Sequence, residues 1–340
     1  MKIKSEHIEV LNPDEKITYV EKGLFYTVCI HEDDLMSSFL ARGGVSTAEE
    51  LTEFVISKLS RDEYERIVPG LTSLSPVQSG CSVLSVKGRD GGYIFGRNFD
   101  LIRCNLVIVK NISRTGYSSV FSVNPDFIHI RKDEDVFAKK YEPFLKLILP
   151  CIPVDGMNEK GLCISVNVIK DQVKIDQKEP GKVNQVTSTL IWTLLSRAAD
   201  VDEAIEILKE SNFHSVAGYF VHFAIADNKG RCICVEYIDN QISIVDSPIV
   251  TNHYLTRCEK YGIGTRQSHQ RFQILTDILE ENETFTPEDV KEVLSKVAKT
   301  NFSAVEGQRY TEWSIVFNQK DLTATYYRRE DYENGFMISV

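Results

Sequence analysis

A cysteine that directly follows a glycine at the head of a strand, turn and strand constrains this chain more than any other feature. In Gly80-Cys81-Ser82-Val83-Leu84-Ser85-Val86-Lys87 and Tyr93-Ile94-Phe95-Gly96-Arg97-Asn98-Phe99-Asp100, the strand formers Val83, Val86, Tyr93 and Phe95 flank Gly88-Arg89-Asp90-Gly91-Gly92. That loop is rich in residues tolerant of positive φ, so the spacing predicts a hairpin. Cys81 begins its first strand, and Arg97 and Asp100 end its second. Folding the two ends together is expected to bring a thiol, a guanidinium and a carboxylate to one sheet edge.

The chain has 340 residues, 42% of them hydrophobic and 26% charged, enough for a large core in one domain or two. A formal charge of -10, with no basic run, argues against nucleic-acid or anionic-membrane partners. No apolar run approaches the roughly 18 to 20 residues of a spanning helix. No apolar stretch follows Met1-Lys2-Ile3-Lys4, so a cytoplasmic location is expected. Eight cysteines are too sparse for a disulfide scaffold. Cys232 and Cys234 share one face of an expected strand and read as buried apolar thiols, because no second cluster with zinc-type spacing accompanies them. Neither a metal nor another cofactor is expected.

Residues 1–80 read as a separate piece. Alternating runs at 17–20 and 24–30 suggest strands, and the capping box Ser46-Thr47-Ala48-Glu49 opens a helix running to about Ile67,. Val68-Pro69-Gly70 stops it, and the polar segment 71–80 reads as a flexible lead into Cys81,. From Cys81 onward, short strands alternate with helices expected at about 187–209, 268–279 and 286–299. Strand-rich flanks around grouped helices suggest α/β or α+β layers, with sheets covered by helices.

Gly80-Cys81 followed by Gly96-Arg97-Asn98-Phe99-Asp100 resembles the linear-amide C–N hydrolases related to choloylglycine hydrolase, penicillin acylases and acyltransferases, and acid ceramidase-like amidases. Asp155-Gly156-Met157-Asn158-Glu159-Lys160-Gly161-Leu162, Val250-Thr251-Asn252, Ser268-His269-Gln270-Arg271-Phe272 and Thr311-Glu312-Trp313-Ser314 are similar to further signatures of that family, in the right order across about 81–330. The resemblance implies an α+β fold, the four-layer αββα sandwich of N-terminal-nucleophile hydrolases. It also implies self-cleavage between Gly80 and Cys81, dividing the chain into a leader, 1–80, and a catalytic chain, 81–340, that stay associated. A leader of this length looks more like the acyltransferase and ceramidase-like branch than the bile-salt branch.

An internal thiol needs a base, and no histidine lies near Cys81 in sequence; the seven stand at 7, 31, 129, 214, 222, 253 and 269. Cleavage would place an α-amine, with a pKa of about 7.7 to 8, on the nucleophile's own residue. Arg97 would stabilise the thiolate, and Asp100 would orient the ammonium or thiol. By resemblance, Asn252 and Asn167 would donate to the oxyanion, and Arg271 would complete the polar site. Asn167 stands one residue closer to Asn158 than its counterpart does in the bile-salt branch, and such a shift turns a strand side chain to the other face. His222, within Val221-His222-Phe223, reads as a satisfied core histidine, and His253 neighbours Asn252. The expected activity is that of an autoprocessed cysteine amidase, cleaving a small-molecule linear N-acyl amide through a thioester. The alternative is an acyltransferase serving an amine acceptor. An unprocessed, histidine-assisted cysteine peptidase and a non-enzymatic binding protein are the further competitors, and the reading admits a homo-oligomer.

Overall fold

The hairpin forms where the spacing puts it. Gly80–Lys87 and Tyr93–Leu101 are antiparallel, with Gly80 opposite Asp100, Cys81 opposite Phe99 and Val83 opposite Arg97. Directly opposed residues point to the same face of a sheet and the face alternates along each strand. Cys81, Val83, Arg97 and Phe99 therefore share one face. Gly80, Ser82, Asn98 and Asp100 share the other. The expected meeting of three groups at one edge is thus divided: Arg97 joins the thiol, whereas Asp100 lies beside Gly80 on the opposite face.

The computed structural model describes residues 20–22, 25–32, 34–74, 80–101, 104–132, 134–169, 171, 174–215, 220–299, 310–329 and 331–340. The hairpin belongs to a six-stranded sheet whose spatial order is Ile249–Val250, Gly80–Lys87, Tyr93–Leu101, Tyr310–Asn318, Thr323–Arg328 and Phe336–Ser339. A nine-stranded sheet runs Val20–Lys22, Phe25–Glu32, Val107–Ser113, Ser119–Val123, Asp155–Asn158, Cys163–Ile169, Phe220–Ala226, Cys232–Ile238 and Gln241–Asp246. Period-two alternation distributes the smaller sheet's side chains between two cores. Val83, Phe95, Phe99, Trp313, Ile315 and Phe317 join the main core shared with the larger sheet. Leu84, Val86, Ile94 and Val316 pack instead with Val290, Val293 and Leu294 of the helix Pro287–Lys296 and Leu275 of Arg266–Glu281. On the larger sheet, Thr187–Arg197 packs against Asp155–Asn158 and Cys163–Ile169. The result is the four-layer αββα arrangement.

Gly96 permits one of these contacts. A β-carbon there would stand 2.7 Å from Leu84 Cδ2 and 2.8 Å from Val290 Cγ1, so only glycine lets the covering helix seat on the strand.

The described residues before Gly80 are not a separate piece. Phe25–Glu32 pairs in parallel with Val107–Ser113 inside the larger sheet, and Leu71–Leu74 pairs with Ile128–Ile130. Residues 17–19 and 75–79 lie outside the described residues. The single leader helix expected over 46–67 is two, Ala48–Ile56 and Arg61–Ile67. Thr47 caps the first, accepting from Glu50 N–H, and Ser60 forms a capping box with Glu63 for the second. Likewise 187–209 divides into Thr187–Arg197 and Val201–Lys209, because Asp200 accepts from Glu203 N–H and restarts the helix,. The helices at 268–279 and 286–299 form as Arg266–Glu281 and Pro287–Lys296, the latter with Thr286 as cap. Leu35–Ala41 and Glu142–Ile148 are two further helices, without a periodic signal in the sequence strong enough to predict them.

Phe39 binds the residues before Gly80 to the remainder of the core. It is fully buried, with its ring 5.6 Å from Phe54 and 5.3 Å from Trp192. Phe39→Ala is expected to lower unfolding stability by about 3 to 5 kcal/mol, read from the urea midpoint. An unchanged midpoint would contradict the shared core.

Candidate active site

Cys81 is wholly buried and is gripped at three points. Its Sγ lies 3.5 Å from Arg97 Nη2, which donates to it, and 3.5 Å from the carbonyl oxygen of Val166. Its N–H donates to Asn252 Oδ1 at 2.9 Å, and its carbonyl oxygen accepts from Arg271 Nη1 at 2.8 Å. No disulfide involves any of the eight cysteines.

Arg97 is itself fixed from the larger sheet. Nη1 meets Asp155 Oδ2 at 2.5 Å and Val154 O at 2.6 Å, while Nη2 also donates to Val166 O at 3.0 Å. The guanidinium lies over the Phe99 ring, 5.1 Å from its centroid, and that ring stacks on Trp313 at 3.9 Å. The Asp-Gly-Met-Asn-Glu-Lys-Gly stretch thereby acquires physical meaning. Asp155 is the counter-ion of Arg97, and Asn158 shapes the turn by accepting from the N–H groups of Lys160 and Leu162.

Arg271 joins the remaining parts. Besides Cys81 O, Nη1 reaches Ser82 Oγ at 2.6 Å and Asp100 Oδ2 at 3.2 Å, and Nη2 donates to Asn252 Oδ1 at 2.7 Å. Asp100 Oδ1 accepts from the Thr311 hydroxyl at 2.7 Å, and Oδ2 also lies 3.4 Å from Lys299 Nζ. Ser268, in the same helix as Arg271, accepts Asn252 N–H at 2.7 Å and shares a hydrogen bond with the Thr251 hydroxyl at 2.8 Å. One motif, Ser268-His269-Gln270-Arg271-Phe272, therefore holds Asn252 twice, on its backbone through Ser268 and on its side chain through Arg271.

The two asparagines differ from expectation. Asn252 stands beside Cys81 but turns its carbonyl oxygen toward it, and Nδ2 donates to Val168 O at 2.7 Å. Asn167 commits Nδ2 to Val250 O at 3.2 Å and Thr251 O at 3.1 Å, and its Oδ1 accepts from Ser165 at 2.9 Å. Its amide thus braces the backbone before Asn252, and Cys81 Sγ meets the carbonyl of the neighbouring Val166 instead. The one-residue offset and the strand's alternation account for this placement.

His222 braces the same carbonyl: Nε2 donates to Thr251 O at 2.8 Å, and Nδ1 faces Glu236 Oε1 at 3.2 Å. Glu236 accepts Leu255 N–H and Thr256 N–H, each at 2.8 Å. The donor atoms of His222, Cys234 and Glu236 lie within 4.8 Å of one another, but these bonds already occupy the carboxylate, so the cluster reads as a hydrogen-bonded brace. His253 Nδ1 lies within hydrogen-bond reach of Ser268 Oγ at 2.9 Å, and its ring stacks on His269. Burial, helped by the charge of His269, pushes the His253 pKa down to about 4, leaving the ring neutral at pH 7. Asp155, Ser82, Ser268, Thr311 and Lys299 were not assigned to the site from sequence. Asp155, Ser268 and Thr311 lie inside the family-like motifs, whereas Lys299 carries no local signal.

Burial pushes the Glu236 carboxyl up, but its bonds from His222, Thr256 and Leu255 outweigh that effect and hold it down at about 2. Relative to an unfolded value near 4.3, the stability from this group is present above about pH 4.3 and is lost as pH falls toward 2. Urea midpoints of Glu236→Gln should therefore decline less steeply than wild type between about pH 5 and pH 3. Parallel declines would remove Glu236 from this role.

A family model described as linear amide C–N hydrolases, choloylglycine hydrolase family, matches residues 81–273, more than half of the chain. The bile salt hydrolase/transferase of Clostridium perfringens (strain 13 / Type A) is 27% identical over 181 residues, covering 50% of this chain and 51% of that protein. The chain thus spans about half the length of this curated relative. A crystallised mutant of the conjugated bile acid hydrolase from Clostridium perfringens superposes with a TM-score of 0.56 at 18% identity, covering 76% of this chain and 92% of that one. Penicillin V acylase from Agrobacterium tumefaciens gives 0.52 at 16% identity, over 76% and 86%. These two structures share the fold seen here, and with the family match the chain belongs to the linear amide C–N hydrolases of the choloylglycine hydrolase family.

Proposed function

We propose that this protein is a cysteine amidase that cleaves its own Gly80–Cys81 bond and then hydrolyses small-molecule linear N-acyl amides through a thioester on Cys81. The observation that carries the reading is the double grip on one residue. The Cys81 thiol faces a guanidinium at 3.5 Å, while its nitrogen, the atom that cleavage turns into an amine, is held by Asn252 Oδ1 at 2.9 Å. Nucleophile and base are thus oriented separately.

Arg97, held in place by Asp155, donates to Cys81 Sγ, so a fixed cation stands against the sulfur as it attacks. In this reading the α-amine takes the thiol proton, Sγ adds to the amide carbon, and the amine leaves with that proton. Water then releases the acid. An amine taking the place of water would make the same acyl-enzyme a transferase intermediate, and both activities stand in the curated relative's name.

The burial of Cys81 favours cleavage before turnover, because a thiol with no exposed surface meets no substrate. The leader's strand in the larger sheet and its phenylalanines in the core favour fragments 1–80 and 81–340 that stay together. Intact mass of the purified protein, combined with amine release from fatty-acyl, bile-acyl and phenoxyacetyl amides, tests the reading. Wild type is expected as two co-eluting fragments with activity on at least one amide, and Cys81→Ala as one inactive chain. Amide turnover by an uncut wild-type chain would overturn it.

A further inference from the structure

Lys299 stands where no family signature places a residue, and its surroundings are built. Its N–H donates to Thr311 Oγ1 at 2.8 Å, and Thr311 N–H returns a bond to Lys299 O at 3.1 Å. The same Thr311 hydroxyl donates to Asp100 Oδ1 at 2.7 Å. From this clamp the ammonium reaches Asp100 Oδ2 at 3.4 Å; the lysine side chain is 21% exposed and the aspartate is wholly buried.

The ammonium also lies over Gly80. A β-carbon on Gly80 would stand 2.7 Å from Lys299 Nζ and 3.2 Å from Asp100 Oδ2. The absence of a side chain at residue 80 therefore leaves a cation and a carboxylate together against the Cα that precedes the Cys81 amide. Among the described residues, the other charged side chains near this point are Arg271, on the same carboxylate, and Arg97 with Asp155, on the opposite face of the hairpin.

We propose that Lys299 is a positioning residue for scission of the Gly80–Cys81 bond, through an ammonium that anchors Asp100 and faces the residue whose carbonyl is attacked. The inference rests on the self-cleavage reading. In that step Sγ bonds to the Gly80 carbonyl carbon, the C–N bond breaks, and the thiol proton ends on the Cys81 nitrogen. Water then hydrolyses the thioester, restoring the thiol and leaving Gly80 as a carboxylate. Negative charge develops first on the carbonyl oxygen and last on the carboxylate, both on the carbon bonded to the Cα beside Lys299 Nζ. A fixed cation nearby lowers the energy of both states. A lysine acting only as surface structure would serve equally well as glutamine.

Full-length wild type, Lys299→Gln, Lys299→Met and Lys299→Arg, made by pulse-labelled cell-free translation, can be followed for cleavage by mass, with thermal melts in parallel. The Gln and Met variants should cleave about tenfold to hundredfold more slowly while melting like the Cys81→Ala precursor, and Arg should restore most of the rate. Should the Met variant not fold, the more polar Gln variant carries the comparison. Gln cleaving as fast as wild type, or Arg as slow as Gln, overturns the assignment to Lys299 and leaves self-cleavage standing. A wild-type chain that never cleaves at this bond overturns both.

Discussion

A single guanidinium, that of Arg271, holds the site together. It bonds the backbone of Cys81, the hydroxyl of Ser82, the carboxylate of Asp100 and the amide oxygen of Asn252. These groups come from two separate segments, the hairpin and the stretch after Ile249–Val250, and Arg271 joins both to a third, the helix Arg266–Glu281. A lysine could not replace this fork, because the pattern needs two nitrogens aimed in fixed directions. Its burial is compensated by Asp100, and without that partner a buried cation would be strongly destabilising. Stability and chemistry therefore rest on the same contacts.

The site is stratified by the pleat of the hairpin. On one face Arg97 and Asp155 attend the thiol; on the other, Asp100 and Lys299 lie against Gly80, and Arg271 bonds Asp100 and the carbonyl oxygen of Cys81. Cleavage and amide turnover would use one sulfur but different supporting groups. That separation follows from strand alternation alone.

Much of this was legible locally. The hairpin turn announced itself through glycines, and the cap at Thr286 through a short polar side chain placed three residues before an acid. Family signatures placed Cys81, Arg97, Asp100, Asn252 and Arg271 within one neighbourhood. What stayed hidden depended on long-range pairing or on the direction of a side chain. Nothing near Phe25–Glu32 states that its parallel neighbour is Val107–Ser113, so the leader read as separate. The opposite facing of Cys81 and Asp100 follows from the register of the hairpin, which fixes the parity of every residue. The Asn252 side chain shows its oxygen to Cys81 because Arg271 donates to that same oxygen, a fact available only from the assembled fold. Lys299 follows a helix and reaches Asp100 across the clamp at Thr311, a contact without sequence periodicity.

The central claim is that a single residue supplies both the attacking sulfur and, as a new chain terminus, the base. Acid quenching during turnover of an N-acyl amide, followed by peptide mapping, tests it directly. The account predicts the acyl mass as a thioester on a peptide whose first residue is Cys81 and whose α-amine is unmodified. An acyl group on another residue, or on a peptide in which Cys81 is still joined to Gly80, would contradict it.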